Sequence, residues 1–347
     1  MPQKATRLTA AVAASVAALL TLSACGGDSE SDPTSAASDP SASASSSEPS
    51  PVTLADPKPE DAKAVKDIKV TQASDKKAPK ISIKDKPLKV SETTRTILDE
   101  GTGEDVPDTG FVEVDLAMYS GKDGKMIADS ETYSSGPIVL AMETQGALPG
   151  LIKSIKDQKV GSHGVSVMPP KDVFGEQGAP QYGVDGKDSL VLVYDVRGVM
   201  PTEAEGTTVT PPKGLPTVKV NKDAPADITI PKDVKKPKKL VQQKLIEGKG
   251  KTLKKGDQVY VNYTGVTLDD GKIFDTTFKE GRGTYAFGLG VEPSIPAWDK
   301  SLVGATVGDR LLLVVPSKEG YGKEGSPDGT IKPNKDLVFV VDILGAY

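Results

Sequence analysis

Two stretches of this 347-residue chain, the halves of its expected folded region, align without a gap at an offset of 147 that sets Gly101 against Gly248. Gly101-Thr102-Gly103 falls on Gly248-Lys249-Gly250, Val112-Glu113-Val114 on Val259-Tyr260-Val261, and Gly124-Lys125 on Gly271-Lys272. The register continues through Val160-Gly161/Val307-Gly308, Pro169/Pro316, Phe174-Gly175/Tyr321-Gly322, Leu190-Val191/Leu337-Val338 and Asp195/Asp342. A period this long exceeds the roughly 20–50 residues of solenoid repeats, so it predicts two tandem copies of one domain. Between the copies, Pro201 to Pro216 carries Thr, Glu, Gly and Pro with little apolar content, a linker composition. The expected segmentation is a first domain over 65–200, a linker over 201–215, and a second domain over 216–347 with its core from about 245.

Within the second copy, Val259, Val261 and Tyr263 alternate with Tyr260 and Asn262, a strand pattern, and Asp269-Asp270-Gly271 makes a turn. Leu311–Val315 and Leu337–Leu344 are apolar, β-branched runs bounded by Gly, Pro and Asp, again strands. One short helix fits between: Pro296 suits its first turn, Trp298 and Leu302 share a face at i, i+4, and Gly304 ends it. The expected architecture is α+β, each copy an antiparallel sheet packed on one short helix. Ile81-Ser82-Ile83 and Ile228-Thr229-Ile230, again at the repeat offset, predict an extra strand at the front of each domain.

Lys4 and Arg7 precede an apolar run from Ala10 to Leu22 and then Ser23-Ala24-Cys25, the layout of a secretory signal over 1–24. The run is too short for a permanent span, which needs about 20 apolar residues. Cys25 directly after Leu22-Ser23-Ala24 resembles the bacterial lipoprotein processing site. The resemblance implies that Cys25 is lipidated and holds the chain at the extracytoplasmic face of a membrane. Residues 26–51 contain ten Ser, four Pro and no large apolar side chain. Such a stretch cannot offset its ordering entropy, so 25–64 is expected to be a disordered tether.

Composition closes off several chemistries. A single His and a single Cys exclude disulfide scaffolds and Cys/His zinc sites. A net charge of −5 argues against a nucleic-acid surface. Gly320-Tyr321-Gly322-Lys323-Glu324-Gly325 satisfies the G-x-G-x-x-G dinucleotide pattern, but Ser326-Pro327-Asp328-Gly329 follows where a helix must begin, so the match is accidental. His163 is expected to be a solvated surface residue.

A spaced set in the second copy carries positive information. Tyr263-Thr264-Gly265, Ile273-Phe274-Asp275, Tyr285-x-Phe287, Ile295-x-x-Trp298, Tyr321-Gly322 with Gly325 and Pro327, and Leu337-Val338-Phe339 run in order. Over about 245–347 this closely resembles the FKBP family of peptidyl-prolyl cis-trans isomerases, and the repeat register makes 98–200 a diverged member. The resemblance implies a proline pocket lined by Tyr263, Phe274, Asp275, Tyr285, Ile295, Trp298, Tyr321, Ile331 and Phe339. It also implies that no metal or cofactor is required, that proline-containing polypeptides are the substrates, and that macrolide inhibitors fit the same site. Ser294 departs from the family's aliphatic residue and is expected to loosen one wall. The first copy has Leu116, Ile127, Ala128, Ile138, Leu151, Phe174 and Leu192 at matching positions, with Asp129 one place beyond the missing carboxylate. It is expected to keep the fold with weak or no activity. Together these features predict an exported, lipid-anchored prolyl isomerase; a proline-peptide binding or holdase module with little turnover is the alternative.

Overall fold

The computed structural model describes residues 56–72, 74–142, 148–279, 282–291 and 294–347. The signal-like residues, Cys25 and the tether as far as residue 55 lie outside the described residues. The chain divides into two compact units at Val199/Met200.

The first unit begins with α1 (Pro59–Lys66), β1 (Ile68–Thr71) and β2 (Lys80–Ile83). It continues with β3 (Thr94–Asp99), β4 (Phe111–Ser120), β5 (Met126–Glu131), β6 (Ile138–Ala141), α2 (Pro149–Ile155), β7 (His163–Met168) and β8 (Leu190–Val199). The second unit contains β9 (Thr207–Thr208), β10 (Thr217–Asn221), β11 (Ala224–Thr229), β12 (Val241–Glu247), β13 (Gln258–Thr267) and β14 (Ile273–Thr276). It ends with β15 (Tyr285–Gly288), α3 (Pro296–Leu302), β16 (Arg310–Val315) and β17 (Leu337–Ala346). The main sheets run β3-β7-β8-β4-β5 with β6 beside β4, and β12-β16-β17-β13-β14 with β15 beside β13. All these pairings are antiparallel. The two units therefore share one strand topology, and the α+β expectation is met.

The repeated Gly-x-Gly has a steric cause. Gly250 N–H donates to the Val307 carbonyl and Gly103 N–H to that of Val160, each at 3.0 Å. A Cβ at Gly248 would lie 2.3 Å from the Val307 carbonyl oxygen, and one at Gly101 2.4 Å from the Val160 oxygen. Backbone passes backbone too closely there for any side chain.

Helix α3 follows the local signals. Pro296 occupies its first turn, Ala297, Trp298, Ser301 and Leu302 are buried, and Gly304 follows with φ +85°. Each of the two front segments forms a hairpin rather than one strand, β1 with β2 and β10 with β11. Ile68 and Ile83 pack on Val165, Val167, Val191 and Val193, and Val218 and Ile228 on Leu312, Val314, Val338 and Val340. Both faces of each sheet are thus apolar-covered.

Two segments are more ordered than their composition suggests. Helix α1 starts inside the 25–64 stretch, held by a buried Asp61 carboxylate that accepts the Ser91 backbone N–H and, at 2.7 Å, its hydroxyl. In the 201–215 stretch, Ala204 N–H donates to Asp342 Oδ2 at 3.0 Å and β9 extends the edge of β12.

The expectation of a solvated His163 is corrected. Its side chain is 13% exposed, and Nδ1 lies 3.1 Å from Asp195 Oδ1. The matching pair in the second unit is Arg310–Asp342, with Nε and Nη2 at 2.6 Å from the two carboxylate oxygens. Across-strand pairing puts both couples in register, so the repeat keeps an ion pair and changes only its cation. Tyr133 donates its hydroxyl to Asp195 at 2.6 Å, and Arg197, Asp115 and Asp99 complete the charged surroundings.

The Asp195 carboxylate, 3.1 Å from Nδ1, raises the His163 pKa above 6.5 against the opposing effect of burial. The imidazolium is therefore favoured by folding. Its contribution is complete below the unfolded pKa of about 6.5 and is lost as pH rises through the folded value. Local amide exchange across β7, corrected for intrinsic rates, should accelerate as pH rises above neutrality. His163→Arg, which copies the second unit, should remove that dependence.

Candidate functional site

Four strands, one helix and two loops bring the nine expected residues together. Tyr263 comes from β13, Phe274 and Asp275 from β14, Tyr285 from β15, and Phe339 from β17. Ile295 precedes α3, Trp298 lies within it, and Tyr321 and Ile331 bracket the loop after β16. Tyr263, Trp298, Ile331 and Phe339 are buried in one cluster, against which Phe274, Ile295 and Tyr321 pack. Tyr285 is 43% exposed and sits at its rim.

The rings meet at angles suited to their quadrupoles. Tyr263 stands edge-on to Trp298 with centroids 5.1 Å apart, Phe274 edge-on to Phe339 at 5.4 Å, and Trp298 to Phe339 at 5.7 Å. Tyr285 stacks on Phe287 at 5.3 Å and reaches Trp298 at 6.3 Å. The Trp298 indole N–H is buried without a partner among the described residues. An unpaired buried donor costs about 1–3 kcal/mol, and such costs concentrate at working sites.

One ion pair borders the rings. Tyr263 donates its hydroxyl to Asp275 Oδ2 at 2.5 Å, and Arg282 donates to Asp275 Oδ1. Burial pushes the Asp275 carboxyl up, but Arg282 and Tyr263 outweigh it and hold the pKa below the usual carboxylate value. Burial first, and then Asp275, raise the Tyr263 hydroxyl pKa, so Tyr263 remains a donor. Burial also raises Tyr321, with Asp275 adding to the shift. At neutral pH Asp275 is a carboxylate and the Tyr263 and Tyr321 hydroxyls keep their protons.

Arg282 was not among the expected residues. It lies seven positions after Asp275 in a stretch without periodicity, and only the folded loop returns it to the carboxylate. Ser294, expected to loosen a wall, donates to Asp299 Oδ1 at 2.9 Å and ties the chain entering α3 to its first turn.

Gly265 also gains a reason. A Cβ there would lie 2.6 Å from Phe274 Cζ and 3.0 Å from Phe339 Cε1, so the missing side chain is the room the two rings occupy. The repeat register puts Met118 at this position in the first unit, buried in the same cluster as Leu116, Ile127, Leu151 and Leu192. Side-chain bulk fills the first unit's version from within. Asp129 does not restore the carboxylate arrangement: it is exposed at φ +55°, and Leu116 offers no hydroxyl to pair with it. Strand register explains the displacement. Thr264 faces Thr276, whereas Ala117 faces Glu131, two residues beyond the equivalent position.

Comparison with known proteins identifies the second unit's family. Residues 249–344 match the family model for FKBP-type peptidyl-prolyl cis-trans isomerases. FK506-binding protein 1 of Debaryomyces hansenii is 43% identical over 101 residues, 29% of this chain and 88% of that protein. An FK506-binding protein of Streptomyces anulatus is 34% identical over 108 residues, 31% of this chain and 86% of that one. Peptidyl-prolyl cis-trans isomerase FPR2 of Saccharomyces cerevisiae is 43% identical over 89 residues, 26% of this chain. The chain spans 64% of the yeast protein's length.

Gly265→Ala should displace the Phe274 ring and cost about 1–3 kcal/mol through overpacking. Met118→Ala should open a cavity and cost about 2–5 kcal/mol. Denaturant unfolding reports both outcomes, and the ring chemical shifts of Phe274 and Phe339 report the first.

Proposed function

The chain belongs to the FKBP-type peptidyl-prolyl cis-trans isomerase family, and we propose that its second unit accelerates rotation about X-Pro bonds by binding them in the aromatic cluster. The observation that carries this reading is the convergence of Tyr263, Phe274, Tyr285, Trp298 and Phe339 beside one ionised carboxylate.

Amide rotation must overcome a barrier of about 18–20 kcal/mol set by resonance. In the twisted transition state the C–N bond loses double-bond character and the carbonyl oxygen loses negative charge. Water stabilises the planar, polar ground state more than the twisted one. Transfer of the bond to a site walled by Phe274, Trp298, Ile331 and Phe339 removes that preference. Trp298 forms the floor for the pyrrolidine ring. The Ile295 backbone N–H and the protonated Tyr321 hydroxyl take the substrate carbonyls. Asp275, fixed by Tyr263 and Arg282, supplies a negative field at the edge. A thousandfold acceleration needs only about 4 kcal/mol of differential stabilisation, and no covalent step.

Proline-containing polypeptides are the substrate class, and macrolides that mimic a prolyl peptide would compete for the cluster. The signal-like 1–24 and Cys25 support export and lipid anchoring at the extracytoplasmic face, with exported polypeptides as clients. The first unit's filled cluster supports a scaffold role with weak or no turnover.

Phe274→Ala in the full chain should lower kcat/KM for an X-Pro peptide by about tenfold or more, equivalent to at least about 1.4 kcal/mol. Ile127→Ala, at the matching position of the first unit, should leave turnover unchanged, with melting curves checking the fold of each. Peptide binding without isomerisation by the unaltered chain would favour the binding-module alternative. Cys25→Ser should shift the protein from the detergent phase to the aqueous phase on partitioning; unchanged partitioning would rule out the anchor.

A further inference from the structure

The loop that carries Ile331 closes differently in the two units. In the first, Ala179 and Val184 close it with two backbone bonds: Ala179 N–H donates to Val184 O at 2.9 Å, and Val184 N–H to Ala179 O at 3.1 Å. Ser326 and Ile331 hold these positions in the second unit. Ser326 N–H still donates to Ile331 O at 2.9 Å, but the return bond is diverted. Ile331 N–H donates at 2.8 Å to the Ser326 hydroxyl oxygen, while the Ser326 carbonyl takes Gly329 N–H at 2.9 Å.

A carboxylate holds this diversion. The Ser326 hydroxyl donates to Asp328 Oδ1, Thr330 N–H donates to the same oxygen at 3.1 Å, and the Thr330 hydroxyl donates to Oδ2 at 2.7 Å. Asp328 thus orients the Ser326 hydroxyl, which in turn holds the Ile331 amide. The Ile331 side chain, 3% exposed, forms part of the aromatic cluster's wall. Gly325 N–H donates to the Tyr321 carbonyl at 3.2 Å, so the same closure reaches the Tyr321 backbone at the other end of the loop. Position 328 corresponds to Gln181 in the first unit and position 326 to Ala179, so this arrangement belongs to the second unit's site and not to the shared fold.

We infer that Asp328, acting through Ser326, is a positioning residue that sets the Ile331 wall of the proline site and thereby substrate affinity. The inference rests on the isomerase reading above. The hydrogen bonds from Ser326 and then Thr330 lower the Asp328 pKa to about 2, so the clasp stays charged throughout the neutral range.

The full chain is the material, with an X-Pro tetrapeptide as substrate. Asp328→Ala should raise KM about tenfold and leave kcat within about twofold, the signature of lost uniform binding. It should also accelerate amide exchange at Ile331 while Leu337 and Phe339 keep their protection. Asp328→Asn retains an oxygen for the Ser326 hydroxyl and Thr330 N–H and should recover most of the affinity. Ser326→Ala should reproduce Asp328→Ala, and the double variant should be no worse than either single one. An unchanged KM in Asp328→Ala, additive effects in the double variant, or an Asn variant as weak as the Ala one would overturn the inference. If the unaltered chain does not isomerise the tetrapeptide, the functional reading falls and takes the affinity role with it. In an active chain, unchanged Ile331 exchange in Asp328→Ala rejects the clasp alone.

Discussion

Strand β17 is buried along its whole length because different layers cover its two faces. Leu337, Phe339, Val341 and Ile343 point into the aromatic cluster, and Val338 and Val340 lie under the β10–β11 hairpin. Full burial contributes about 1.5–3 kcal/mol per large apolar side chain, so residues locked on both sides of a sheet are expensive to move. Phe339 inherits that rigidity. Its strand neighbours are Gly265 on one side and Leu313 on the other, which fixes the ring beside Phe274 and Trp298. Helix α3 depends on the same layer. Seven residues are too few for an independent helix, and it persists because Ala297, Trp298 and Leu302 are buried against the sheet.

The parts legible in the sequence were those set by short-range rules. Pro296, the Trp298/Leu302 spacing and Gly304 mark a helix without reference to anything distant. Alternation around Val259 to Tyr263 marks a strand. The nine cluster residues were legible as a spaced set because strands and one helix deliver them at fixed intervals. Arg282 was not, since its place beside Asp275 depends on how an aperiodic loop returns. The Ser326–Asp328 clasp was hidden for a related reason: a serine and an aspartate in a Gly/Pro-rich loop have many possible partners, and backbone conformation selects among them. His163 failed because its partner Asp195 lies 32 residues away, on a neighbouring strand.

The two units separate fold from chemistry. They share topology, the Gly-x-Gly crossing and an in-register ion pair, yet five ring positions of the second unit's cluster are Leu or Ile in the first. Leu and Ile at ring positions preserve apolar packing, which is what a core requires for folding. They do not preserve a hydroxyl beside a carboxylate, nor an empty place at position 265. A fold tolerates such exchanges, while a site built on it does not.

Trp298 is the only tryptophan among 347 residues, and it stands edge-on to Tyr263 in the second unit. The chain's nine tyrosines absorb ultraviolet light as well, but tryptophan emission has this single origin. The protein therefore carries its own optical label. Light excited selectively at the indole reports the dryness and packing of one cluster and is blind to the interior of the other unit. Unfolding followed by tryptophan emission and by backbone dichroism should thus trace different events, and any separation of the two curves measures how independently the repeated domains come apart.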